Sequence, residues 1–278
     1  MRSTIALFGA VWFLAWSSCA SAQPEPLQLG LVPNISPRVL FEHNRPLRLY
    51  LERRLGRPVE LVTAPDFRVF HQRTLAGAYD LAVTPAHMAR LAQLDAGHVP
   101  LVSYAPGIAC LVVTAKESGV NGIGDLRGRA ITLANPLSLV ALHGQQWLGA
   151  HGLRAEQDYR ITRVRADDSA ASMLVRGESA AALLSAGELR AIPEKLRERV
   201  AVLSPCGEVQ SFVAVASARL PAQLRESLRG ALIAFPAAPE FADFSAATGF
   251  KGMAAVDDAM LRTLDVLAPA TRRLLDGN

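Results

Sequence analysis

The chain has 278 residues, half of them hydrophobic and only 6% aromatic, with 29 Lys and Arg against 25 Asp and Glu for a formal net charge of +4. So slight a positive balance, spread evenly and without basic runs interleaved with aromatics, argues against a nucleic-acid partner.

The first residues have the order of a secretory signal: Arg2, an apolar stretch over 5–16, and Ala20-Ser21-Ala22 as a small-residue cleavage site. The apolar stretch is shorter than the roughly 20 residues of a spanning helix. Cys19 could be the lipid-modified residue of a lipoprotein, but Trp16 stands where such signals usually carry leucine. Residues 1–22 are therefore read as a cleaved signal peptide, which makes the mature protein an exported one with a net charge of 28 minus 25, or +3. Removing the signal leaves Cys110 and Cys206, and two cysteines in an oxidising compartment most often pair as a disulfide.

Residues 29–92 read as a repeated strand, loop and helix. An apolar strand at 29–32 leads into Pro33-Asn34-Ile35-Ser36-Pro37, where Ser36 suits a helix cap and Pro37 a first turn. Residues 38–55 carry Val39, Leu40, Leu47, Tyr50, Leu51 and Leu55 near helical spacing, and Gly56 stops the helix. Further strands are predicted at 59–63, 79–83 and 99–104, with helices from Asp66 and over 86–95. Alternating strands and helices imply a parallel sheet with its ligand site at the strand carboxyl ends, here residues 33–36, 64–67 and 84–87.

Pro106-Gly107 breaks the rhythm, and 108–115 is a continuous apolar strand. After a turn-rich connection at 122–128 comes a second alternating unit: strands at 130–134, 159–164 and 180–184, with helices from Ser138 and Ser169. Residues 200–203 lead to Ser204-Pro205-Cys206-Gly207, then to an apolar strand at 211–216; from Pro221 the chain reads as mostly helical, with a cap at Asp257 and a break at Phe235-Pro236. The simplest architecture is two α/β lobes, one made of 23–108 and 208–278 and the other of the inserted 109–207, with strands 108–115 and 211–216 crossing between them as a hinge around the ligand cleft.

At this point the chain resembles a known family. Leu31-Val32-Pro33, the run from Leu51 through Pro58 to Phe67, Gly77-Ala78-Tyr79-Asp80-Leu81-Ala82, and the run from Ile123 to Ile131 are similar to the periplasmic phosphonate, phosphite and phosphate-ester binding proteins. The resemblance implies a type II periplasmic binding fold with two crossover strands; no enzyme activity and no cofactor are expected of the chain.

The pocket motifs depart from the family. Its Ser-Thr-Ser anion loop corresponds to Asn135-Pro136-Leu137-Ser138-Leu139-Val140, which keeps one serine. Its Gly-Ser-His-Asp corresponds to Arg165-Ala166-Asp167-Asp168, with a carboxylate in place of the ligand histidine, and like charge disfavours a dianion there. The chain also resembles a subgroup that senses arsenite for a membrane histidine kinase and carries cysteines near the crossover strands. That resemblance implies Cys110 and Cys206 close together at the cleft, as thiol donors to a soft, neutral solute. The favoured reading is a small-oxyanion binding protein that senses arsenite for a sensor kinase; the alternative is delivery of phosphite-like or phosphonate-like solutes to an importer.

Other candidates each have a functional and a structural reading. Thr84 and His87 either touch the solute from a strand-end loop or serve as a helix cap and a surface histidine. Asn34 and Ser36 are the same choice after the first strand, with capping favoured for Ser36; Ser138 and Asp168 suit helix caps whether or not they reach ligand. Phe67 either walls the cleft or packs. The histidines are dispersed without zinc spacing, the serines lack a Gly-x-Ser-x-Gly elbow, and Gly122-Ile123-Gly124 lacks the strand-to-helix context of a phosphate loop.

Overall fold

The computed structural model describes residues 25–164 and 167–277, with the side chains of 167 and 168 left out. The expected signal peptide, Cys19 and the Asp167 and Asp168 side chains lie outside the described residues.

The first lobe opens with β1 (Leu27–Leu31), α1 (Pro37–Leu55), β2 (Val59–Val62), α2 (Phe67–Leu75), β3 (Leu81–Pro85), α3 (Ala86–Ala96) and β4 (Val99–Ala105). Leu40, Asn44, Leu47, Tyr50 and Leu51 of α1 fall toward one helical face and are the buried ones, as the spacing requires. Gly56 ends α1 in the left-handed conformation, its N–H donating to Glu52 O. Ser36 occupies the N-cap position, yet its side chain makes no capping hydrogen bond.

The second lobe holds β5 (Ile108–Ala115), β6 (Ala130–Leu133), α4 (Leu139–Ala150), β7 (Arg160–Arg163), α5 (Asp167–Val175), β8 (Ala181–Ser185), α6 (Ala186–Ala191), α7 (Glu194–Arg197) and β9 (Val200–Val209). The chain then returns to the first lobe through β10 (Phe212–Ala216), α8 (Ala222–Ala234), α9 (Phe241–Thr248), β11 (Gly252–Ala255), α10 (Asp258–Thr263) and α11 (Ala268–Asp276). Sheet order is β11-β4-β10-β3-β1-β2 in the first lobe and β7-β6-β8-β5-β9 in the second. The interior strands β3 and β8 are buried at every position, as strands covered on both faces must be.

Three expectations need correction or extension. Neither 108–115 nor 211–216 crosses between the lobes: β5 lies wholly in the second sheet and β10 wholly in the first, so the crossings fall at residues 106–107 and 210–211. Each hinge is thus a pair of strands laid end to end. Ser204-Pro205-Cys206-Gly207 continues the strand that begins at Val200, so β9 runs on to Val209, paired to β5 through two register shifts. Proline is tolerated there because β9 is an edge strand, where a missing N–H breaks no inner ladder. Finally, the helical C-terminal stretch contains β11, which pairs antiparallel with β4 from Gly252 opposite Ala105 to Ala255 opposite Val102.

One buried core lies between the first sheet and α1, α8 and α9, where the Tyr50 and Phe235 rings stand 4.8 Å apart. A second runs through both lobes: Val32, Phe67, Phe70 and Met88 share it with Cys110, Leu139, Val140 and Leu142. The C-terminal helices pack on this side of the first lobe through Arg90 to Asp265, 2.7 Å, Arg272 to Asp95, 2.6 Å, and Arg68 Nη2 donating to Leu274 O, 3.1 Å.

Candidate functional site between the lobes

The strand-end loops of the first lobe differ in their access to the interior. The one after β1 is exposed from Asn34 to Arg38, which puts Asn34 on the rim. The one after β2 is packed: Asp66 caps α2 by accepting from Val69 N–H at 2.8 Å, and Phe67 is buried against the shared core. The one after β3 is the deepest, with Thr84 1% and His87 2% exposed.

Thr84 and His87 are also unsatisfied. Thr84 Oγ1 has no hydrogen-bond partner, and neither ring nitrogen of His87 has one of good geometry, its one polar approach being to the Leu137 backbone of the other lobe. The structural reading of a surface histidine is therefore wrong for His87. Burial pushes its pKa down to about 3, helped by the proximity of His71, while the Leu137 backbone of the other lobe acts in the opposite direction. His87 is thus a neutral imidazole that meets the second lobe at its anion-loop position.

Ser211 joins this group, and the sequence reading missed it. Val213 pairs directly with Thr84 across β10 and β3, and Ser211, two residues before Val213, continues that strand's alternation toward the same end of the sheet. Ser211 is 2% exposed and its Oγ has no partner. Orphaned polar atoms at such burial cost about 1–3 kcal/mol each; Tyr79, Tyr104, Thr132, Tyr159 and Arg229 carry others elsewhere, and what distinguishes Thr84, His87 and Ser211 is their position at strand ends beside the crossings between the lobes.

Across the gap, the loop before α4 is tightly tied. Asn135 Oδ1 accepts from Leu137 N–H at 3.0 Å, and Ser138 Oγ accepts from Ala141 N–H at 3.0 Å, so Ser138 is a helix cap as expected. The amides of Leu139 and Val140 belong to the first turn, where a helix provides no internal acceptor, and they carry no hydrogen bond to the preceding loop among the described residues. These two donors, with the partial positive charge of the helix start, make a neutral anion cradle.

Cys110 and Cys206 form a disulfide, with Cα atoms 5.0 Å apart, and both are fully buried. The bridge lies beneath the first turn of α4, where Cys110 Sγ is 3.8 Å from Val140 O. One turn later, His143 Nε2 is 2.9 Å from Cys206 O. Gly207 has φ +104°, and a Cβ there would stand 3.1 Å from His143 Nε2, so glycine admits both the backbone and the imidazole. Gly144 lets α4 lie close on β8: a Cβ there would meet Leu183 Cδ1 at 2.7 Å. The disulfide thus supports the cradle from behind. With both sulfurs bonded to each other, neither is a thiolate, and the arsenite reading finds no soft donor in this state.

The structure brings His87 to the 137 backbone of the other lobe, with Cys110 and Cys206 behind the start of α4; Thr84 lies buried at the end of β3, three residues before His87, and Asn34 is exposed. Asp168 begins α5, and its side chain is outside the described residues. A separate cavity of about 610 Å³ opens at the amino ends of β6 and β8, lined by Lys116, Arg129, Arg160 and Glu198 among others, at the opposite end of the second lobe from these loops.

Two α/β lobes joined by paired hinge strands, with unsatisfied donors from both lobes facing one crevice, define a two-lobed solute-binding protein of type II architecture. Residues 29–261 match the family model of the periplasmic substrate-binding protein of ABC phosphonate transporters. The chain belongs to that family, whose members bind solutes rather than transform them. Among solved structures, a Xanthomonas citri protein bound to ATP shares 19% identity over 90% of this chain and 98% of its own, with TM-score 0.74. A binding-protein component of an ABC phosphonate transporter from Pseudomonas aeruginosa shares 16% over 91% and 90%, with TM-score 0.76. A Prochlorococcus marinus protein in complex with methylphosphonate shares 12% over 90% and 100%, with TM-score 0.79.

Proposed function

We propose that this protein captures a phosphonate-type or phosphate-type oxyanion between its lobes in the periplasm and presents it to the permease of an ABC importer. The observation that supports this most directly is the set of orphaned buried donors on the first lobe, Thr84, His87 and Ser211, set toward the free amides that begin α4. All of these are neutral, which suits an anion held by directed hydrogen bonds. The donors come from both lobes, so a ligand that bonds to both stabilises the closed form over the open one.

The relatives solved with methylphosphonate and with ATP both hold a phosphorus oxyanion, one small and one large, in keeping with this reading. The finer version, arsenite sensing for a membrane histidine kinase, requires reduction of the Cys110–Cys206 bridge before either sulfur can act as a ligand.

Calorimetric titration with methylphosphonate, phosphite, phosphate and arsenite, each with and without reductant, tests both versions. The proposal expects saturable binding of a phosphorus oxyanion by the oxidised protein. Binding of arsenite alone, and only after reduction, would reverse the assignment.

A further inference from the structure

A second cavity, about 210 Å³, lies between the second lobe and α11 and includes Pro136 of the loop that forms the oxyanion cradle. Its apolar wall comes from Leu142 and Ile161 on one side and Leu274 on the other. Two guanidinium groups also line it, Arg163 at the end of β7 and Arg273 on α11. They come from opposite lobes, since α11 is anchored to the first lobe through Arg272 to Asp95 and Leu274 O to Arg68.

Neither guanidinium has a hydrogen bond or an ion pair among the described residues, although several other arginines do, including Arg90, Arg127, Arg176 and Arg272. Two unpaired like charges that meet across a cleft oppose its closure. A ligand group carrying negative charge between them removes that repulsion, and guanidinium is the side chain best shaped to hold carboxylate or phosphate oxygens.

We infer that this cavity is a second subsite, in which Arg163 and Arg273 hold a distal acidic group of the ligand while Leu142, Ile161 and Leu274 pack against the linker. The inference rests on the oxyanion site proposed above and narrows its substrate class: an organic phosphonate or phosphate ester with a second anionic group, in preference to bare phosphite or methylphosphonate. Pro136 is the structural link, because it belongs both to the cradle loop and to the cavity wall. The apolar lining disfavours a fully hydrated inorganic ion and favours a short alkyl chain.

Calorimetry with three probes tests it: methylphosphonate, butylphosphonate and 4-phosphonobutyrate. The carboxylate-bearing probe should bind about tenfold more tightly than butylphosphonate, the order of one good charge-assisted contact. Arg163→Gln and Arg273→Gln should each abolish that preference, while methylphosphonate affinity should hold or rise, because either substitution also removes the repulsion that opposes closure. Unchanged discrimination in both variants, or equal losses for all three probes, would overturn the subsite while leaving the cradle intact. Failure of the unaltered protein to bind any of the three would overturn the cradle and the subsite together. Both arginines are exposed, so the substitutions leave the core unaltered.

Discussion

Acidification should destabilise this protein well before its carboxylates begin to titrate, because two histidines are buried in neutral form. Burial holds His87 at a pKa of about 3 and His71 at about 4, in each case with desolvation as the largest cause. In the unfolded chain both return to about 6.5. Between those values the unfolded state binds more protons than the folded one, so stability is fully present above pH 6.5 and is lost as pH falls through the window from 6.5 to between 3 and 4. At pH 5 the unfolded histidines are almost wholly protonated and the folded ones are not, which costs about 2 kcal/mol for each, or about 4 kcal/mol together relative to pH 7.5. Urea unfolding at pH 7.5, 6.5, 5.8 and 5.0, with constant ionic strength and no ligand, measures this as a falling midpoint at constant slope. The His87→Leu variant should lose only about half as much over the same range. A flat profile, or one that His87→Leu leaves unchanged, would refute the claim that His87 is buried and neutral.

The disulfide joins residues 96 apart in sequence, so its loss releases a long loop in the unfolded chain, worth about 4–5 kcal/mol on the chain-entropy account. Paired Cys110→Ser and Cys206→Ser replacements should lower the urea midpoint accordingly, and reductant should then cause no further loss; an unchanged midpoint would mean that the bridge contributes little. Thr84→Val and Ser211→Ala should behave in the opposite way. Each removes an unsatisfied buried hydroxyl, so stability without ligand should hold or rise by up to about 1 kcal/mol while oxyanion affinity falls about tenfold. Equal affinity in both variants by calorimetry would place the ligand elsewhere.

Much of the first lobe was legible because its signals are local. Residues 29–92 carry the spacing of α1, the stop at Gly56 and the Asp66 start of α2, and each depends on residues within one or two turns. Caps were legible for the same reason at Ser138 and Asp257, though not at Ser36, where the right residue type makes no capping bond. Pro205 and Gly207 are turn residues by type, and only pairing with β5 keeps them within β9. The four-residue β11 was missed because it exists through its partner β4, distant in sequence.

The site divides along the same line. Thr84, His87 and the 135–138 loop could be marked in advance, since strand ends in a parallel sheet are the ligand side and that depends on element order alone. The sequence by itself therefore determined a two-lobed α/β architecture, from which the strand ends follow as the expected ligand side, and it determined which two cysteines were free to pair. Tertiary structure alone decided that His87 is buried and neutral, that Ser211 lies toward the same end of the sheet as Thr84, that the bridge supports α4, and that Arg163 and Arg273 meet across one cavity. Charge state, desolvation and orphaned hydrogen bonds belong to the space around a side chain, and that space is built from segments more than 100 residues apart, as with Arg163 and Arg273.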